Sequence, residues 1–145
     1  MIKFLAIASF VAFSTPALAQ DANTQAMPAA TPQAMGKIIM YRQGALMGMG
    51  LGCPFRYKGK EIVELGRNKY AEWPVPAGSY ILTNKTSSVD VNVNPGQTKY
   101  VRCVIKTGML TGRADLQIVD AETYNEHSAD YERKEIAAPD MVSAQ

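Results

Sequence analysis

The apolar and polar positions of this chain fall into short alternating runs rather than helical stripes. In Val89-Asp90-Val91-Asn92-Val93-Asn94 three valines share one face and three polar residues the other, the period-two pattern of a strand buried on one side. Thr98 to Lys106 extends the same logic, with Val101, Cys103 and Ile105 on one face and Tyr100, Arg102 and Val104 on the other. Lys37 to Arg42 is a strand with charged ends. Cys53 to Lys85 sets three short apolar-rich runs between two glycine-bearing turns. Gly59 in Lys58-Gly59-Lys60 suits the positive φ of a tight hairpin. In Val75-Pro76-Ala77-Gly78 the proline presets the first turn position and Gly78 accepts a left-handed bulge. The stretch is therefore expected to be a β-meander. Pro95-Gly96 makes another turn, Thr107 to Thr111 bends around Gly108, and Gly112 to Val119 is the last strand, with Leu116 and Ile118 inward.

Beyond that strand the period changes. Asp120 is a helix cap, Glu122 places a negative charge in the first turn, and Tyr124 and Tyr131 stand seven apart on one helical face. A short C-terminal helix is expected over about Ala121 to Lys134, within a segment 121–136, followed by a loose tail over 137–145. Seven to eight strands with turn signals every ten or so residues define the class as all-β, an antiparallel β-sandwich over 37–120. The length, 145 residues, is that of one domain.

The N-terminus carries an address rather than structure. Lys3 precedes the apolar run Phe4 to Phe13, and Ala17-Leu18-Ala19 stands before Gln20, the layout of a secretory signal peptide over 1–19. Residues 20–36, rich in Ala, Gln, Pro and Thr, form an expected disordered leader, because they have too little apolar surface to offset ordering. The residue directly after the cleavage site is Gln20 and not a cysteine, so neither a lipid anchor nor a stable membrane anchor is expected, and a periplasmic or secreted bacterial location is. Loss of Lys3 leaves 14 basic against 13 acidic residues, which lowers the formal charge from +2 to +1. That balance offers nucleic acid no footprint. In an oxidising compartment the two cysteines, Cys53 and Cys103, favour a disulfide. Two unpaired thiols are the alternative, since a bridge needs Cα atoms within about 7 Å.

Phe55 to Leu82 runs strand, Lys-Gly-Lys hairpin, Leu65-Gly66, aromatic strand and Pro76-Ala77-Gly78-Ser79-Tyr80. This order resembles a secreted bacterial "domain of unknown function" family of small sandwiches, many of them lipoproteins, and the broader PEGA-type surface domains. The likeness extends from about Lys37 to Asp120, through Tyr41-Arg42 and Pro95-Gly96-Gln97-Thr98-Lys99-Tyr100-Val101-Arg102. It implies a fold of Ig/PEGA-like kind and brings no reaction or catalytic residue with it.

Candidate chemistry is sparse. Between Gln43 and Gly52, Gly44, Gly48, Gly50 and Gly52 alternate loosely with Leu46, Met47, Met49 and Leu51. This is either an inter-strand loop packed on the domain, an apolar docking patch, or, with Met35 or Met40 nearby, a thioether site for Cu(I). Tyr57, Tyr70, Trp73, Tyr80 and Tyr100 lie on strands, where they serve as core or, exposed on one face, as a sugar or peptide platform. The single histidine, His127, completes no triad or metal set. Asp115, Asp120, Glu122, Asp90 and Glu61 are carboxylates from which a small periplasmic enzyme would have to build its site. The expectation is a non-catalytic envelope module without cofactor or metal. Its binding residues would be Met47, Met49, Leu51, Tyr57, Trp73 and Tyr100, and its partner an envelope protein or glycan.

Overall fold

The computed structural model describes residues 34–44, 50–107 and 112–136. The signal peptide, most of the leader, Met47 and Met49, the bend at Gly108 and the C-terminal tail lie outside the described residues. The chain is mostly β. In order it forms β1 (Met35–Arg42), β2 (Cys53–Tyr57), β3 (Lys60–Leu65), β4 (Lys69–Pro76), β5 (Gly78–Thr83), β6 (Ser88–Val93), β7 (Thr98–Thr107) and β8 (Gly112–Val119). A helix α1 (Ala121–Asn125), a 3-10 turn (Ser128–Asp130) and a two-residue strand β9 (Glu132–Arg133) follow. A five-stranded sheet has the order β8-β7-β1-β4-β9, and a four-stranded sheet the order β3-β2-β5-β6.

Both sheets feed one apolar cluster. Ile38, Met40, Ala71, Trp73, Val75, Val101 and Leu116 come from the first, and Phe55, Ile62, Val63, Leu65, Leu82, Val91 and Val93 from the second. The alternation of β6 and β7 thus sorts as expected, since one-sided burial fixes which residues of a strand point inward. Ile118 departs from its expected inward place. It pairs with Val101 but stays 47% exposed, because β8 is the sheet's edge. The sulfurs of Cys53 on β2 and Cys103 on β7 lie at bonding distance, with Cα atoms 6.5 Å apart, so the pair bridges the two sheets.

The hairpin between β2 and β3 forms as its residues dictate. Lys58 (φ 49°) and Gly59 (φ 78°) are both left-handed between the paired Tyr57 and Lys60, the signature of a type I′ turn. The meander stops there. β4 joins the five-stranded sheet against β1, and β5 returns to pair β2 and β6. Only Ala77 separates β4 from β5. That is too short for a hairpin loop, so the chain turns a corner between sheets, and among the described residues the left-handed glycines are Gly59 and Gly96, not Gly78. The pairing is also not wholly antiparallel: β1 with β7 and β4 with β9 run parallel.

β1 begins at Met35, inside the expected leader, because Met35 pairs with Pro76 and its carbonyl accepts from Gly96 N–H at 2.9 Å. Its expected charged end is buried instead. Arg42 is 2% exposed and donates from its guanidinium to the Leu51 carbonyl, which ties the return of the Gly/Met loop to the end of β1. The sheet edges are blunted, as edge strands require. Asn84 and Thr86 donate to the Ala114 carbonyl, and Leu116 N–H donates to Ser87 Oγ at 2.8 Å, so the β5–β6 loop caps β8. Pro74 and Pro76, lacking N–H groups, blunt the stretch of β4's outer edge that β9 does not reach.

Candidate functional site

The outer face of the five-stranded sheet is a small grid whose register can be written out. Tyr70, Tyr41 and Arg102 form one row across β4, β1 and β7, and Glu72, Ile39 and Tyr100 form the next. Tyr124, delivered by α1, sits over both rows. Its ring centroid lies 5.0 Å from Tyr41, 5.0 Å from Tyr100 and 6.4 Å from Tyr70. Tyr131 closes the group at 5.3 Å from Tyr41 and 5.6 Å from Tyr124. Five phenols therefore share one face. Tyr41 and Tyr131 are buried, whereas Tyr70, Tyr100 and Tyr124 are half-buried at its surface.

The expected C-terminal helix is much shorter than 121–134. Asp120 does cap it, accepting from Thr123 N–H at 2.8 Å, and Tyr124 and Tyr131 do land together. But Tyr131 gets there through the 3-10 turn and an extended stretch. Glu132 N–H donates to the Asn68 carbonyl at 2.9 Å and Lys134 N–H to Tyr70 at 2.7 Å, while Lys69 pairs with Glu132. Strand pairing to the start of β4 competes with helix propagation and wins, because a helix this short is marginal without packing.

Burial is the first cause of the electrostatics of the face. It pushes the Tyr124 phenol up to about 12, reinforced by Tyr70, Glu72, Tyr100 and Tyr41. Tyr131 is pushed up to about 12 by burial, with Tyr41 and Tyr124 adding. Tyr41 is raised by burial against the opposing charge of Arg102. Ionised side chains frame the rings. Lys37 holds Glu72 at 3.0 Å. On the β8 side Arg102 donates to Gln117 at 3.0 Å, Gln117 donates to Asp115 at 3.2 Å, and Lys106 meets Asp115 at 2.6 Å. The face thus offers aromatic rings with hydroxyl tips beside hydrogen-bonding groups of both kinds.

The residues singled out from sequence fall in different places. Tyr100 belongs to this face. Trp73, fully buried, belongs to the core, where it packs with Tyr57 at 5.2 Å and Tyr80 at 5.5 Å, so Tyr57 and Trp73 form no exposed platform. Tyr57 carries Lys58 over its ring at 5.3 Å. Leu51, 41% exposed, lines a separate cleft of about 300 Å3. Met40 is core and Met35 is exposed, which sets these two methionines in unlike surroundings. Of the carboxylates, Asp115 is held below the usual range chiefly by its hydrogen bond from Lys106, and Asp120 chiefly by the Thr123 N–H. Glu61 pairs with Arg56 at 3.6 Å. Glu122 and Asp90 lie exposed on α1 and β6, so these carboxylates do not converge.

Tyr41, Tyr70, Tyr124 and Tyr131 were not separable as a site from the sequence. The available signal was that Tyr41, Tyr70 and Tyr100 all occupy the out-of-core parity of their strands. Among the described residues no helix is long and apolar enough to cross a membrane. Compared with protein-family models, curated proteins and solved structures, the chain gives no match.

Proposed function

We propose that this chain is an exported, non-catalytic β-sandwich module of PEGA-like kind that binds a glycan of the cell envelope on its tyrosine face. The observation that carries the reading is the set of half-buried rings of Tyr70, Tyr100 and Tyr124 on one sheet face, framed by the Lys37–Glu72 pair and the Arg102–Gln117–Asp115 chain. Tyrosine presents an apolar ring with a polar tip. Such a ring covers the C–H face of a sugar while neighbouring polar groups meet its hydroxyls, the mix of apolar lining and few oriented polar groups that small-ligand sites use. Burial also keeps Tyr124 neutral well above physiological pH, so its tip stays a hydroxyl rather than a phenolate. The Ala17-Leu18-Ala19 pattern after an apolar run supports the compartment.

Co-sedimentation with purified cell-wall sacculi tests the proposal. The mature protein is expected to pellet with sacculi, and the Tyr70→Ala/Tyr100→Ala variant to stay in the supernatant with its fold intact by circular dichroism. Equal pelleting of both proteins, or of neither, contradicts it.

A further inference from the structure

The cleft of about 300 Å3 lies apart from the tyrosine face and has a construction of its own. β2 and β5 pair only through Arg56↔Thr83 and Tyr57↔Leu82, after which β5 runs off into the loop that caps β8. The chain thus leaves β2 after Thr83, and the cleft opens between the start of β2 and the Lys85–Thr86 segment that caps β8. Its floor is apolar, formed by Leu51, Pro54, Ile105 and Ala114. Its walls are charged with opposite sign. On the β2–β3 side stands Glu64, its carboxylate packed against the bare Cα of Gly52, while the neighbouring Arg56 and Glu61 neutralise each other at 3.6 Å. On the other side stand Lys85, from the capping loop, and Arg113, from β8. Glu64, Lys85 and Arg113 have no side-chain partner among the described residues.

We infer that this cleft binds a small zwitterion, a free amino acid or a short peptide with unblocked ends. Glu64 takes the ammonium group, Lys85 and Arg113 take the carboxylate, and the apolar floor takes the side chain. Arginine and lysine are the natural carboxylate receptors, and a carboxylate on the facing wall fixes the direction of the ligand. The volume is at the lower end of small-molecule sites, which suits a ligand of this size and not a folded partner. Pro54 argues the same way. It borders the cleft without an N–H to donate, so a long peptide cannot zip onto this part of β2 as an added strand. The capping hydrogen bond from Thr86 to Ala114 holds the Lys85 wall in place. The inference is independent of the glycan reading, since no residue is shared between the two sites.

Isothermal titration of the mature protein at pH 7 tests it with four probes: glycine, tri-alanine, N-acetyl-tri-alanine amide and acetate. Saturable binding of glycine or tri-alanine is expected, and which of the two binds identifies the source. The doubly blocked peptide and acetate are expected to bind at least tenfold more weakly. Glu64→Gln and the Lys85→Gln/Arg113→Gln pair each weaken the zwitterion tenfold or more while leaving the melting temperature in place, because all three side chains are exposed. The inference is overturned if neither zwitterion saturates, if the blocked peptide or acetate binds as well as the free one, or if the folded variants keep parental affinity.

Discussion

Removing the Cys53–Cys103 bridge is the perturbation whose size follows most directly from the structure. The two residues are 50 positions apart, with Cα atoms 6.5 Å apart, and each belongs to a different sheet. The segment between them holds the four-stranded sheet together with β4 and the start of β7, so the bridge closes the chain around most of the core. A cross-link spanning that many residues removes about 4 kcal/mol of entropy from the unfolded chain. Domains of this size are stable by only about 5–15 kcal/mol, and near 100 residues each kcal/mol moves the midpoint by about 4–8 °C. The Cys53→Ala/Cys103→Ala variant is therefore expected to melt about 15–30 °C below the parent. Urea titration followed by circular dichroism separates the cause. If the effect lies in the unfolded state, the uncross-linked chain expands further and its m-value rises. A midpoint within about 5 °C of the parent would show that the cross-link contributes little to stability, and two reactive thiols per chain in the denatured, unreduced parent would show that it does not form.

Three further outcomes are expected. Gly36→Ala places a Cβ 2.9 Å from the Gln97 carbonyl oxygen and into Val93, so urea denaturation is expected to show a loss of about 1–3 kcal/mol from overpacking. Gly59→Ala forces an alanine to φ near 78° and costs about 1–2 kcal/mol, whereas Gly78→Ala, whose Cβ meets nothing closer than 3.8 Å, leaves the midpoint nearly unchanged; equal losses at both would restore the left-handed turn at Gly78. In alkali, Tyr124 and Tyr131 ionise near 12 in the fold but near 10 when unfolded, so the unfolded state gives up protons first. Their contribution to stability is complete below pH 10 and is lost as pH climbs from 10 toward 12, which thermal melts alongside tyrosinate absorbance will show. A flat melting temperature across that window contradicts the buried-phenol account.

Local chemistry was legible in the sequence, and pairing was not. Lys58-Gly59 specifies its own turn, and the Val89–Val93 alternation specifies which face is buried, because each depends on neighbouring residues. Alternation does not say which strand lies alongside, so Pro76-Ala77-Gly78 looked like a hairpin although β4 and β5 belong to different sheets. The parallel pairing of β1 with β7 joins segments some 60 residues apart, with no local mark of it. The cysteine pair was foreseeable from the expected compartment and the count, though its geometry was not. For the site, the alternation of β7 placed Tyr100 opposite Val101 and Cys103, but only the three-strand register and the return of the chain through β9 bring Tyr41, Tyr70, Tyr124 and Tyr131 to the same face. Trp73, expected among the binding residues, is core because its parity on β4 is inward.

The central claim, that the tyrosine face takes a sugar chain, is tested most directly by amide-resolved nuclear magnetic resonance titration of the mature protein with a tetramer of N-acetylglucosamine. Saturable shifts are expected, confined to β1, β4, β7 and α1 around Tyr41, Tyr70, Tyr100 and Tyr124, with their loss in Tyr100→Ala. No saturable shifts, or shifts centred on another surface, would contradict it.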